Sequence, residues 1–179
     1  VADGSSTSGL TPSAPRAAFA LGNLAFRQGK RDLAETRWLS LSDRFPKDPL
    51  AGDALYCAGE QRFINSEWAR AAELFTRYRR EWPAGSFIDS ALALGGDSYE
   101  KSGNRALAIL WWEENLKKFP AGSAAPRVWS HLVSAYRAEG DYAASLRAAE
   151  SYQKKFPAEA RLDGMGDAIV SLRRLAVGE

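Results

Sequence analysis

Residues 103–122 read GNRALAILWWEENLKKFPAG, and the two ends of this stretch decide the fold. It opens on Gly103-Asn104, a pair that stops a preceding helix by taking a left-handed turn. It closes on Phe119-Pro120, where proline cannot continue a helix and drives its predecessor towards extended geometry. Between these marks Ala108, Trp112 and Leu116 fall at i, i+4 and i+8, a single stripe along a helix. Both marks recur. The aromatic–proline pair stands at Phe45-Pro46, Trp82-Pro83, Phe119-Pro120 and Phe156-Pro157; 83−46, 120−83 and 157−120 are each 37 residues. Gly29, Ser66, Gly103 and Gly140 keep the same interval. Two registers sharing a period between about 20 and 50 residues predict a solenoid of stacked repeats.

Working outward from this unit, Leu92, Gly95, Gly96 and Tyr99 fall at i, i+3, i+4 and i+7 and predict a helix before Gly103. Asp48-Pro49 reads as an N-cap with proline at the first helical position. Ser86 to Asp89 has capping-box spacing, with Asp for Glu. No segment alternates with period two, so the class is all-α. Small residues recur within the first helices at Gly22, Gly59 and Gly96, with Val133 the fourth, and within the second helices at Ala34, Ala71, Ala108 and Ser145. Trp38, Phe75 and Trp112 follow one turn later and fill the groove that small residues leave. Burying one such ring stabilises by about 1.5–3 kcal/mol. Glycine costs about 1 kcal/mol in a helix interior, so its repetition has a packing cause.

Helix pairs with this small-and-aromatic spacing, a glycine at the turn and a terminal proline resemble tetratricopeptide repeats. The resemblance implies a right-handed α-solenoid of four helix pairs, at about residues 15–51, 52–88, 89–125 and 126–158, with a capping helix at 159–177. Together they form one domain over 14–179. Residues 1–13, rich in Ser, Thr, Gly and Pro, read as a flexible linker or tether. Each unit exceeds the usual 34 residues by three, in Ala84-Gly85-Ser86 and Ala121-Gly122-Ser123. These aromatic-Pro-x-x-Ser junctions are similar to the bacterial envelope branch of the family, which includes the outer-membrane assembly lipoprotein and Tol-Pal-associated periplasmic proteins. A periplasmic or cell-envelope location is the expectation that follows. Near the end of each second helix, where alanine is usual, stand Leu41, Tyr78, Asn115 and Tyr152, expected to hold repeats apart and alter the twist.

Composition narrows the function. The chain has 179 residues, 45% hydrophobic and 26% charged, with 24 basic and 22 acidic side chains. That balance gives no electrostatic footprint for nucleic acid. No apolar run approaches the roughly 20 residues of a membrane span. A chain opening on Val1 rather than Met suggests a processed or excised segment, with any signal or lipid anchor upstream.

Catalytic and metal sites are not expected. His131 has no cysteine or histidine partners at ligand spacing, and Cys57 has no flanking basic residue to lower its pKa. Ser130, His131 and Glu139 are triad types, yet adjacent helix residues point about 100° apart. Gly164-Met165-Gly166 follows no strand, which excludes a phosphate-binding fingerprint and makes it a loosened helix start. Arg44, Arg79-Arg80, Lys117-Lys118 and Lys154-Lys155 precede the prolines. With acidic residues nearby, they read as complements to helix dipoles rather than an anion-binding stripe.

The family resemblance implies that first helices line a concave groove. By position this offers Asn23, Phe26 and Arg27 in repeat one, and Tyr56, Glu60 and Phe63 in repeat two. Repeat three offers Asp97, Glu100 and Lys101, and repeat four His131, Ser134 and Arg137. Aromatics with both charge signs suit an extended peptide or a partner helix. Chaperone-tail clamps of the family use five polar or basic residues here; Asn23 fits, while Phe19, Cys57, Ser90 and Leu94 do not. The implied function is a non-enzymatic, cofactor-free interaction scaffold with a protein partner. The alternatives are a small-ligand module around Tyr56 and Phe63, or an accessory domain of a larger enzyme.

Overall fold

A computed structural model describes residues 13–177, so the proposed linker falls outside the described residues but for Ser13. The described residues form ten helices and no strand. Four pairs come first: α1 (Ala14–Arg27) and α2 (Arg31–Arg44), α3 (Pro49–Ile64) and α4 (Trp68–Glu81), α5 (Ile88–Lys101) and α6 (Arg105–Lys118), α7 (Ala125–Ala138) and α8 (Tyr142–Lys155). Then follow α9 (Pro157–Leu162) and α10 (Met165–Ala176). The chain divides into two compact units, Val1–Ala58 and Gly59–Glu179, the boundary falling within α3.

The turns explain why glycine marks the period. Gly29, Ser66, Gly103 and Gly140 all have positive φ, at 73°, 63°, 89° and 77°. Each turn makes the same two backbone bonds. At the first, Gly29 N donates to Phe26 O at 2.9 Å and Lys30 N to Ala25 O at 3.0 Å. At the second, Ser66 N donates to Phe63 O and Glu67 N to Arg62 O, at 3.0 and 2.9 Å. This double closure of a helix end satisfies carbonyls that would otherwise lack partners, and glycine enters it without a Cβ penalty. Ser66 is the exception and bears that penalty, about 1–2 kcal/mol before glycine's own entropy is counted. Ser66→Gly is therefore expected to stabilise by about 1 kcal/mol, read as a higher urea midpoint at unchanged slope. A lower midpoint would show that the Ser66 side chain contributes more than its backbone costs.

In unit one, a Cβ on Gly22 would run into the Trp38 indole, and Trp38 is buried. Unit two repeats the arrangement: a Cβ on Gly59 would stand 2.9 Å from the Phe75 ring, and those on Gly95 and Gly96 would meet Trp111 and Trp112. Repeat four inverts it. Leu132 and Val133 stand where repeat three has Gly95 and Gly96, and Ala148 and Ala149 where it has Trp111 and Trp112. All four are buried, so bulk has moved from the second helix to the first.

The residues near the second-helix ends make junction contacts. Tyr78, Asn115 and Tyr152 are buried and bind the junctions. Phe87 N donates to Tyr78 Oη at 3.0 Å, and Asn115 Nδ2 donates to the carbonyl and carboxylate of Asp89 at 2.9 and 2.7 Å. Tyr152 Oη donates to Asp163 Oδ2 at 2.7 Å. The expected capping box at Ser86 does not form, because α5 starts at Ile88 and the Asp89 carboxylate is engaged by Asn115. The Asp48 cap does form, Leu50 N donating to Oδ1 at 2.9 Å.

The predicted capping helix is two helices. Gly164, at φ 68°, breaks 159–177 into α9 and α10. α10 packs on α8 through Met165, Ile169 and Leu172, whose burial closes the core that a fifth repeat would otherwise cover.

Candidate functional site

In unit two, α5 and α7 lie on either side of α6 and present their free faces together. The centre of this face is Asp97, on α5 directly after Gly96. Its side chain is 3% exposed and accepts from three directions. Trp112 Nε1 donates to Oδ1 at 3.0 Å, and His131 Nδ1 lies 2.9 Å from the same oxygen. Arg127, one turn before His131 on α7, pairs with Oδ2. The His131 ring also leans on the Trp112 indole, with centroids 5.1 Å apart. Burial opposes ionisation of Asp97, but the His131 hydrogen bond and the Arg127 charge outweigh it and hold the carboxyl below its ordinary value. One carboxylate thus ties α5, α6 and α7 together.

Beside this knot is a cavity of about 360 Å³, lined by Asp97, Glu100, Lys101, Trp112, His131 and Ser134, with Ala135 and Ala138 behind. It brings together five residues that the sequence assigns to the groove: Asp97, Glu100, Lys101, His131 and Ser134. Glu100 Oε1 accepts from Arg105 Nε at 3.0 Å, whereas Oε2 is buried with no hydrogen-bond partner. Lys101 Nζ lies 4.9 Å from the centroid of the Trp68 ring and has no carboxylate partner among the described residues. The cavity therefore offers a half-satisfied acceptor and a cation above an apolar floor. Arg137, exposed at the end of α7, does not line it.

The other sequence candidates are placed differently. Asn23 Oδ1 accepts from Trp38 Nε1 at 3.2 Å, the same service to an indole that Asp97 gives Trp112. Phe26 is exposed at 45% and tilts against Trp38 at 5.8 Å, with Arg27 exposed beside it. Tyr56 is buried in unit one, and Glu60 is half-buried in unit two. Phe63 packs edge-on against Trp68 at 5.1 Å. The Tyr56 and Phe63 rings are thus largely taken up by packing.

The triad types do not converge. His131 is held by Asp97, Glu139 pairs with Arg105 at 3.2 Å, and the Ser130 carbonyl accepts from Ser134 Oγ at 3.2 Å. Cys57 is half-buried. Among the described residues no three His, Cys, Asp or Glu side chains are grouped to hold a metal, and no helix is long and apolar enough to cross a membrane.

The basic residues ahead of the prolines resolve into two groups. Arg79 and Lys118 both bind Glu114, the latter at 2.8 Å, and Arg80 pairs with Glu81 at 2.9 Å. Lys117 and Lys155 have no carboxylate partner among the described residues, and both line a second cavity, of about 400 Å³, between α6 and α8. The sequence reading took Lys117 as a complement to its helix dipole. The signal for this cavity was present in the aligned repeats, where alanine replaces tryptophan at 148.

Comparison with known proteins agrees with the repeat geometry. No curated protein matches the chain. Among solved structures, MamA 41-end from Desulfovibrio magneticus RS-1 superposes with a TM-score of 0.65 at 16% identity, covering 94% of this chain and 98% of that one. A second MamA structure gives 0.66 at 13% identity, over 91% and 90%. A tetratricopeptide repeat protein from Parabacteroides merdae ATCC 43184 gives 0.61 at 17%, over 93% of this chain and 60% of that one. At such identities the likeness is one of fold. Residues 9–86 match the family model described as Tetratricopeptide repeat, and the fold over most of the chain is like that of the tetratricopeptide repeat protein from Parabacteroides merdae.

Proposed function

We propose that the chain is a non-enzymatic scaffold that holds a peptide segment or helix of a protein partner on the face made by its first helices. The observation that supports this most is the cavity between α5 and α7. Five side chains chosen by repeat position alone gather there, from two helices 30 or more residues apart in sequence. Their chemistry suits main-chain recognition: Glu100 Oε2 lacks a donor, and Lys101 can receive an acidic group. Tetratricopeptide folds commonly serve as interaction scaffolds, which agrees with this reading. A bacterial envelope complex is the setting we propose, supported by the aromatic-Pro-x-x-Ser junctions alone.

A photo-crosslinking amino acid placed at Lys101 or Ser134 tests the site in the native host. The expected outcome is a discrete protein adduct at both positions and none at Arg161, which is exposed on α9. Lys101→Glu should reduce the Ser134 adduct at least tenfold. Equal adducts at all three positions, or adducts only at Arg161, would remove the α5–α7 face from consideration. Fractionation of the same cells reads the location, and a cytoplasmic pool alone would end the envelope proposal.

A further inference from the structure

The cavity between α6 and α8 lies on the far side of α7 from the face just described. Trp129, Leu132 and Tyr136 reach it, whereas His131, Ser134 and Ala135 face the other way, as 3.6 residues per turn requires. Its origin lies in two replacements between repeats three and four. Ala148 stands where repeat three has Trp111, and Ser151 where it has Glu114. In repeat three the Trp111 ring lies 5.4 Å from Tyr99, and the Glu114 carboxylate binds Arg79 and Lys118. Burial works against that carboxylate, yet Lys118 and Arg79 hold its pKa below the ordinary value.

In repeat four the ring and the carboxylate are gone, and leucines line the space: Leu132 stands where Gly95 was and Leu116 where Arg79 was. Tyr136 occupies the place of Tyr99, and Lys155 that of Lys118. Lys155, Lys117 and Arg147 line the cavity, and none has a carboxylate partner among the described residues. Lys155 lies 5.5 Å from the centroid of the Trp129 ring instead. Trp129 Nε1 is buried without an acceptor among the described residues, an omission that is unfavourable unless something fills it. The one acid in the wall, Glu113, is engaged by the Tyr136 hydroxyl at 2.5 Å.

We infer that this cavity binds an acidic–aromatic segment of a partner protein, its carboxylate taking the place of Glu114 and its ring lying on the apolar wall of Leu116 and Leu132. The carboxylate accepts from Lys155 and the Trp129 indole, with Lys117 and Arg147 at the rim. A volume of about 400 Å³ admits one aromatic side chain with an acidic neighbour. The site is independent of the α5–α7 face, so either can fail without the other.

The test is fluorescence anisotropy with labelled octapeptides centred on Glu-Trp-Glu, Gln-Trp-Gln or Glu-Ala-Glu. The Glu-Trp-Glu peptide should bind at least tenfold more tightly than either of the others, and more weakly as salt rises. Ser151→Glu restores the internal carboxylate and should weaken binding at least tenfold without lowering the melting temperature. Arg174→Ala on α10 should change nothing. Equal binding of the three peptides would overturn the inference, as would a Ser151→Glu variant that binds like the wild type.

Discussion

Trp112→Ala is expected to cost about 4 kcal/mol of stability, read as a lower denaturant midpoint. The indole is 2% exposed and rests on the bare backbone at Gly96, where no side chain can swing in to fill the void. Its loss also removes a donor from Asp97. The contact has a diagnostic partner in Gly96→Ala. With Trp112 present, the added methyl collides with the ring and should destabilise. With alanine at 112 the collision is gone, and the same change should be neutral or stabilising, because alanine is about 1 kcal/mol better than glycine in a helix. If Gly96→Ala costs the same in both backgrounds, the two positions are not in contact.

Asp97→Ala should cost about 3 kcal/mol, because it leaves an indole N–H without its acceptor and two α7 side chains without their anchor. Arg127 and His131 are both more than a third exposed and can be rehydrated, so the effect falls at the low end for a broken buried pair. Asp97→Asn keeps an acceptor and should cost less. The pH dependence has a definite sign. The folded carboxyl is held below its ordinary value, so the unfolded chain takes up the proton first as acid is added. The stabilisation is complete above the unfolded value, about 4, and is lost as pH falls through the folded one. Urea titrations between pH 7 and 3 should therefore show a steeper acid decline for wild type than for Asp97→Asn. Parallel declines would assign the acid sensitivity to other carboxylates.

Most of the architecture was legible because the period is written in backbone chemistry. A left-handed turn selects glycine and a helix end tolerates proline, and both requirements are local. Gly22, Gly59 and Gly96 were legible for a related reason, since a glycine repeated inside helices needs a close contact to offset its cost. The Asp97 knot was half legible. A polar residue after Gly22 and Gly96 lies 15 residues before Trp38 and Trp112, so each indole has an acceptor written into the sequence. That His131 and Arg127 would reach the same carboxylate depends on how α7 leans on α5, which no local rule supplies. The break at Gly164 was also in view, but a glycine can loosen a helix or end one, and only packing decides between them. The α6–α8 cavity was hidden because it arises from absences, Ala148 and Ser151, and attention to motifs favours what is present.

The inverted size pattern of repeat four bears on how the chain avoids assembling itself wrongly. Proteins built from similar units risk pairing a helix with the wrong neighbour, a characteristic failure of repeat folds. Here α6 has two tryptophans that accept only a helix with glycines opposite, and α5 has Gly95 and Gly96 there. α7, offering Leu132 and Val133 at the same positions, is refused that seat by bulk. α8 in turn has alanines that would leave a void against the glycines of α5. The two helix pairs are thus cut as unlike locks and keys, and each helix has one seat in which volume is neither missing nor doubled.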